Sequence, residues 1–247
     1  DPIQALNALK AACFVLACEL RDCGVDFTFA PVLDLDWKKS AIIGERSFAS
    51  DSETVATLAR VACDGFAQAG MANCAKHFPG HGFATADSHV TLPVDDRQAD
   101  QILDNDIKPY RALADVLTGA MTAHVLYPAL DTVPASFSYK IATELLRDKV
   151  GFKGLLFSDD LSMAGAKAEG DILVRAQKAL EAGCDALIVC NDPEAVDALL
   201  TGLVWEKTAS FVRRFGGIVP KTWPLKFGDL RDNGAYRRAL NCMTNGL

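Results

Sequence analysis

The feature that most constrains this chain is a strict alternation between segments of helical period and short, continuously apolar runs. Apolar residues recur at helical spacing from Ile3 to Cys23 and stop at Gly24, after which Asp26-Phe-Thr-Phe-Ala-Pro-Val-Leu-Asp34 reads as a buried strand entering a loop. Ser50-Asp-Ser-Glu53 has the form of a capping box, opens a helix running to Ala69, and delivers Asn73-Cys-Ala-Lys-His77 as the next strand. Three more units follow: helix Asp106 to Leu117 with strand Ala120 to His124, helix Tyr139 to Val150 with strand Gly154 to Asp159, and helix Asp171 to Ala182 with strand Asp185 to Cys190. Strands that are apolar throughout are covered on both faces, and regular alternation with helices implies parallel pairing. The fold class is α/β.

Pattern alone does not separate a closed barrel from an open doubly wound sheet, although no G-x-G-x-x-G follows any strand to mark a dinucleotide crevice. The placement of reactive residues favours the barrel. His77, His81, His89 and His124, with Asp34, Lys76, Asp159 and Asn191, fall at the C-terminal ends of the strands or just beyond, and a barrel builds its site from many strands at that rim. We therefore expect residues 1–247 to form a single domain of the α/β-barrel type.

A net charge of −7 without a long basic run leaves no electrostatic footprint for nucleic acid or an anionic membrane, so the expected partner is a small molecule. Eight cysteines show no C-x-x-C pair and fall mostly within apolar patterns, reading as small buried hydrophobes in a reducing compartment. The apolar stretch Ala11 to Cys18, bounded by Lys10 and Glu19, is too short for a membrane span and lacks the basic flank of a signal peptide. Beyond Asn191 the motifs thin out, and Val204 to Leu247, with Arg213, Arg214, Arg237, Arg238, Trp205 and Trp223, reads as peripheral helices.

The densest chemistry is Lys76-His-Phe-Pro-Gly-His-Gly82, continuing to Asp87-Ser-His89: a cation and three imidazoles in a polar loop leaving a buried strand. Asp87 and His89 are two apart, share a face in extended backbone, and make His89 a candidate proton-transfer group. The same imidazoles are candidate metal ligands, but Lys76 would place a positive charge beside a cation; no metal and no cofactor is expected. In Phe157-Ser-Asp-Asp-Leu-Ser-Met163 a strand runs out into two acids. Asp159 needs a partner or a use to offset its desolvation, whereas Asp160 is suited to capping the following turn. In Ile43-Gly-Glu-Arg-Ser-Phe48, Arg46 offers a planar fork to a hydroxylated or anionic ligand, or forms a surface ion pair.

These segments, together with Phe29-Ala-Pro-Val-Leu-Asp34 and Ala123-His124, resemble glycoside hydrolase family 3, specifically its single-domain bacterial β-N-acetylhexosaminidases, over roughly residues 1 to 200. The resemblance implies that residues 1–247 are a single catalytic domain of the (β/α)8 TIM-barrel type, that Asp159 is the nucleophile, His89 the general acid/base and Asp87 the residue orienting it, with Arg46, Lys76 and His77 binding an N-acetylglucosamine unit. It also implies a substrate from peptidoglycan turnover, N-acetylglucosamine β-1,4-linked to anhydro-N-acetylmuramic acid with or without peptide, cleaved in the cytoplasm. A histidine in place of the usual second carboxylate leaves phosphate as a secondary acceptor. The loop carrying His89 is expected to be mobile without ligand, with Gly80, Gly82 and Ala84 to Ala86 as the source of its freedom. The family's first strands, with an Asp and an Arg that hold the sugar, have no counterpart in this sequence. Two rival readings stand beside this one: a metal-dependent barrel hydrolase, and a catalytically impaired sugar-binding protein.

Overall fold

The computed structural model describes residues 1–88, 91–222 and 227–245. Five strands, β1 (Phe27–Thr28), β2 (Ala72–Phe78), β3 (Gly119–Thr122), β4 (Leu155–Asp160) and β5 (Ala186–Ile188), lie side by side in sequence order, and every neighbouring pair is parallel. An open doubly wound sheet reverses its strand order at a switch point. This one never reverses, so each crossover advances the sheet the same way and it curls, with helices on its outer face.

Burial along the strands explains their unbroken apolar character. Ala75, Ala120 and Leu156 face the helices and join a cluster with Val55, Tyr110 and Leu146. Their neighbours Cys74, Met121, Leu155 and Phe157 point to the concave side, where Ile218 packs with them. Both faces of β2, β3 and the first four residues of β4 are almost wholly buried, so the period-2 alternation of a half-exposed strand is absent there.

On the outside, α1 (Pro2–Asp22) crosses α2 (Ser52–Gln68) closely. A Cβ on Gly65 would lie 2.6 Å from the Lys10 carbonyl oxygen and 2.7 Å from Cys13 Cβ, so only glycine permits this approach. By length and composition α1 would also pass for a membrane span, a longer apolar run than Ala11 to Cys18. Its Phe14, Val15 and Cys18 pack against Tyr236 and Leu230, and Cys13 and Ala17 pack against Ala62 and Phe66 of α2.

Several expectations shift. The first strand shortens to two residues, followed by a single bridge between Val32 and Lys76, because Pro31 has no N–H to give the ladder. The cap of α2 is Asp51, which accepts from the Thr54 N–H at 2.8 Å, rather than Ser50. The expected helix from Asp106 to Leu117 shortens to α4 (Lys108–Leu113); a separate short helix, α3 (Ala99–Leu103), precedes it, with Asp106 buried between the two. The segment Lys140–Lys149 is a wide π-type helix. Five cysteines are buried, but Cys23 and Cys190 are exposed. The C-terminal stretch is more than peripheral: Arg214 forks onto the Asp185 carboxylate, which also receives Arg147 at 2.7 Å, and pins the entry to β5.

Candidate active site

The strand ends deliver their polar side chains to one place. A cavity of about 420 Å³ opens at the C-terminal rim of β2, β4 and β5, lined by Arg46, Lys76, His77, His81, Ser88, Asp159 and Asn191, with Phe29, Met121 and Met163 among its apolar walls. Its volume falls in the range of small-molecule sites, roughly 300–1,000 Å³.

Asp34 organises the β2 side. It is 1 % exposed, and its Oδ1 accepts the backbone N–H groups of His77 (3.1 Å) and His81 (2.7 Å) while its Oδ2 faces His77 Nδ1 at 2.7 Å. Nδ1–H therefore donates to Asp34, leaving His77 Nε2 toward Arg46 Nη2 at 3.5 Å, on the cavity side. Burial alone would raise the Asp34 carboxyl, but His77 and the donors around it outweigh that and hold it below the usual carboxylate range. Arg46 also donates to the Ile42 carbonyl at 3.3 Å, so it is held at the rim by backbone and imidazole rather than by a surface carboxylate.

Lys76 lies beside them, its ammonium 5.8 Å from the Phe29 ring centroid. Burial and then Arg46 lower its pKa, with Asp159 acting the other way. Burial likewise lowers His81, whose backbone is tied to Asp34 and whose Nε2 sits 3.4 Å from Ser88 Oγ.

At the end of β4 the two adjacent acids divide their work. Asp160 Oδ1 accepts from the Ser162 N–H (2.9 Å), the Ser162 hydroxyl (2.7 Å) and the Cys190 N–H (3.0 Å), so Asp160 ties the turn after β4 to the end of β5. Asp159 lines the cavity, and the only hydrogen bond to its carboxylate among the described residues is the Asp160 N–H at 2.8 Å. Burial pushes Asp159 up, but the imidazoles of His124 and His77 and that N–H more than offset it, so the carboxyl is held below the usual range and is ionised near neutrality.

Four of the six expected site residues, Arg46, Lys76, His77 and Asp159, thus line one cavity. Asp87 is described one residue before the cavity-lining Ser88, with its carbonyl accepting the Thr91 N–H at 2.9 Å. His89 lies outside the described residues. The base of the intervening loop differs from expectation, because its glycines serve packing rather than freedom. The Gly80 carbonyl accepts the Tyr127 hydroxyl at 2.8 Å, a Cβ on Gly82 would fall 1.8 Å from the Leu35 carbonyl oxygen, and Ala84 is buried. Behind it sits a buried network the sequence reading missed. Arg97 forks onto Asp95 (2.6 and 2.9 Å) and reaches Asp106 (2.8 Å), Asp106 accepts from Trp37 Nε1 (3.1 Å), and the guanidinium stacks on Phe83. Asp95-x-Arg97 was visible as an adjacent charge pair, but nothing local distinguishes a buried pair from a surface one. Asp34 carried the same signal as Asp159, an acid ending an apolar run.

Residues 3–209 match the N-terminal domain of glycosyl hydrolase family 3. The chain belongs to glycosyl hydrolase family 3. A β-hexosaminidase of Bordetella parapertussis is 47 % identical over 240 residues, which are 97 % of this chain and 68 % of that protein. The crystal structure of NagZ from Neisseria gonorrhoeae in complex with N-trifluoroacetyl-D-glucosamine superposes with a TM-score of 0.89 at 39 % identity, covering 98 % of this chain and 70 % of that one. NagZ of the same organism in complex with a zinc ion gives 0.87 at 38 % identity, with 98 % and 69 % covered. Within family 3 this chain is a glycoside hydrolase of the β-N-acetylhexosaminidase type. Among the described residues of this family 3 chain, no group of three or more His, Cys, Asp or Glu side chains is disposed to hold a metal ion.

Proposed function

We propose that this chain is the catalytic part of a retaining exo-β-N-acetylglucosaminidase that acts in the cytoplasm. Its substrate is N-acetylglucosamine β-1,4-linked to anhydro-N-acetylmuramic acid, with or without peptide, and the sheet described above belongs to a (β/α)8 barrel. The observation that carries the reading is the cavity itself. A carboxylate held ionised and bound by a single backbone donor, Asp159, faces a cation, a fork of donors and an imidazole, Lys76, Arg46 and His77, across a space of sugar size.

In the first step an Asp159 carboxylate oxygen attacks the anomeric carbon while His89, as imidazolium, gives its proton to the departing glycosidic oxygen. The C1–O bond to the leaving sugar breaks as the glycosyl-aspartate ester forms. His89, now neutral, takes a proton from water, whose oxygen attacks the same carbon and expels Asp159 as carboxylate. Asp87 orients His89, and Arg46, Lys76 and His77 hold the sugar hydroxyls and acetamido group. The family resemblance supports these assignments, as does the sugar derivative bound by the gonococcal relative.

The test follows nitrophenol release from 4-nitrophenyl β-N-acetylglucosaminide by wild type, Asp159→Ala and His89→Ala, with and without chelator, and with phosphate added. Chelator-insensitive turnover that Asp159→Ala abolishes, with residual rate in His89→Ala because nitrophenol needs little acid help, supports the covalent route. Formation of N-acetylglucosamine 1-phosphate identifies phosphate as a second acceptor. Turnover lost on chelation overturns the reading in favour of a metal hydrolase, and binding of N-acetylglucosamine without turnover favours a sugar-binding protein.

A further inference from the structure

One buried imidazole beside the cavity has no role in the steps above. His124 follows β3, is fully buried, and stacks on Phe137 with ring centroids 5.4 Å apart and planes at 12°. Its Nε2 lies 3.0 Å from the backbone oxygen of Asp160, so this nitrogen carries the proton and donates it, while Nδ1 is buried without a hydrogen-bond partner among the described residues. A buried imidazole with one orphaned nitrogen is not explained by packing. An apolar ring would stack on Phe137 equally well without leaving a polar atom desolvated.

What it grips is the residue after Asp159. The Asp160 N–H is the donor to Asp159 Oδ1, its carboxylate is tied to Ser162 and to the Cys190 N–H, and its carbonyl accepts from His124 Nε2 at 3.0 Å and from the Met163 N–H at 3.1 Å. These attachments of Asp160 converge on keeping its N–H aimed at the Asp159 carboxylate. The others come from β4 and β5 and their turns; the one that reaches across from the end of β3 is His124.

We propose that His124 is a positioning residue for the nucleophile: as a neutral Nε2–H imidazole it clamps the Asp160 carbonyl and so fixes the orientation of the Asp159 carboxylate toward the anomeric carbon. The inference rests on Asp159 being the nucleophile. A clamp of this kind acts on the bond-forming step and little on sugar binding, which belongs to groups on β2 and the loop at Arg46. Burial lowers the pKa of His124, consistent with a neutral donor. The Asp160 N–H that this clamp aims is one of the groups holding the Asp159 carboxyl low, and His77, His81, Lys76 from β2 and Cys190 beyond β5 face the same carboxylate.

The experiment compares His124→Phe, which keeps a stacking ring and removes the donor, with His124→Gln, which keeps a donor, and with Asp159→Ala, using kcat, KM, the pH profile of kcat/KM and thermal melting. The expected result for His124→Phe is a fall in kcat of about tenfold or more with KM within about threefold. The acidic limb of its pH profile moves upward by about half a unit or more. His124→Gln restores most of kcat. An unchanged kcat in His124→Phe, or equal losses in both variants with the acidic limb unmoved, overturns the clamp while leaving the nucleophile in place. Should His124→Phe fail to fold, His124→Leu against His124→Gln makes the same comparison. Retained turnover in Asp159→Ala instead sinks the nucleophile assignment on which the inference stands.

Discussion

The Nδ1 of His77 lies 2.7 Å from Oδ2 of Asp34, and the other oxygen of the same carboxylate takes the backbone N–H groups of His77 and His81. One buried acid thus sets both the ring of His77 and the path of the chain into the loop after β2. Asp34→Ala would leave three buried donors without an acceptor. The expected loss is about 3 kcal/mol of stability or more, at about 1–3 kcal/mol for each buried donor left unsatisfied. Urea unfolding measures it, and a loss under about 1 kcal/mol would show that water replaces Asp34 at no consequence.

Asp34 also links folding to pH. Its pKa is depressed in the folded state, so its contribution is fully present above the unfolded value of about 3.9 and is lost as pH falls through the folded value below it. Melting temperature followed from pH 7 downward should therefore drop steeply at the acid end in wild type and less steeply in Asp34→Asn. Parallel curves would remove Asp34 from the acid transition.

Arg97 sits between two buried carboxylates, bonded to Asp95 and Asp106 while the Asp106 carboxyl is itself pushed up by burial. Replacement of Arg97 by Met strands both acids. We expect a destabilisation of about 3–5 kcal/mol, which for a chain of this size is a melting decrease of roughly 6–20 °C at about 2–4 °C per kcal/mol. Calorimetry decides it. The triple replacement with Asp95→Asn and Asp106→Asn should recover much of the loss, because the stranded charges are then gone, and failure to recover would place the damage in the stacking on Trp37 and Phe83 instead.

Gly82 tests whether the base of the His81–Asp87 loop is anchored. A Cβ there meets the Leu35 carbonyl oxygen at 1.8 Å, so the backbone must move, and with it His81 and the Phe83 ring. Gly82→Ala is expected to destabilise by about 2 kcal/mol or more and to reduce kcat/KM about tenfold or more. Thr85→Gly, at an exposed position of the same loop, should change melting little. If instead Thr85→Gly is the damaging change and Gly82→Ala is silent, the loop derives its function from its own conformational preferences rather than from this packing.

Much of the site was legible because it is written in short, local patterns. A carboxylate ending an apolar run has to be paired or used, and that singled out Asp159. Lys76 and His77 sit at the exit of a strand buried on both faces, and Arg46 in a polar break. The alternation of helix and strand fixed α/β class and parallel pairing for the same reason, since each segment carries its own period. Dividing Asp160 from Asp159 was also within reach, because a turn two residues long can be capped by a neighbouring acid.

The tertiary structure alone decided what depends on partners distant in sequence. That Asp34 meets His77 across 43 residues, that Arg97 lies buried beneath Trp37 and Phe83, and that His124 reaches the Asp160 carbonyl are results of strand order and curl. No local spacing encodes these. The same holds for Gly82, which reads in sequence as freedom and proves in three dimensions to be close approach. A residue's period and charge are properties of its own segment, whereas burial, protonation and orientation are set by what the sheet brings beside it.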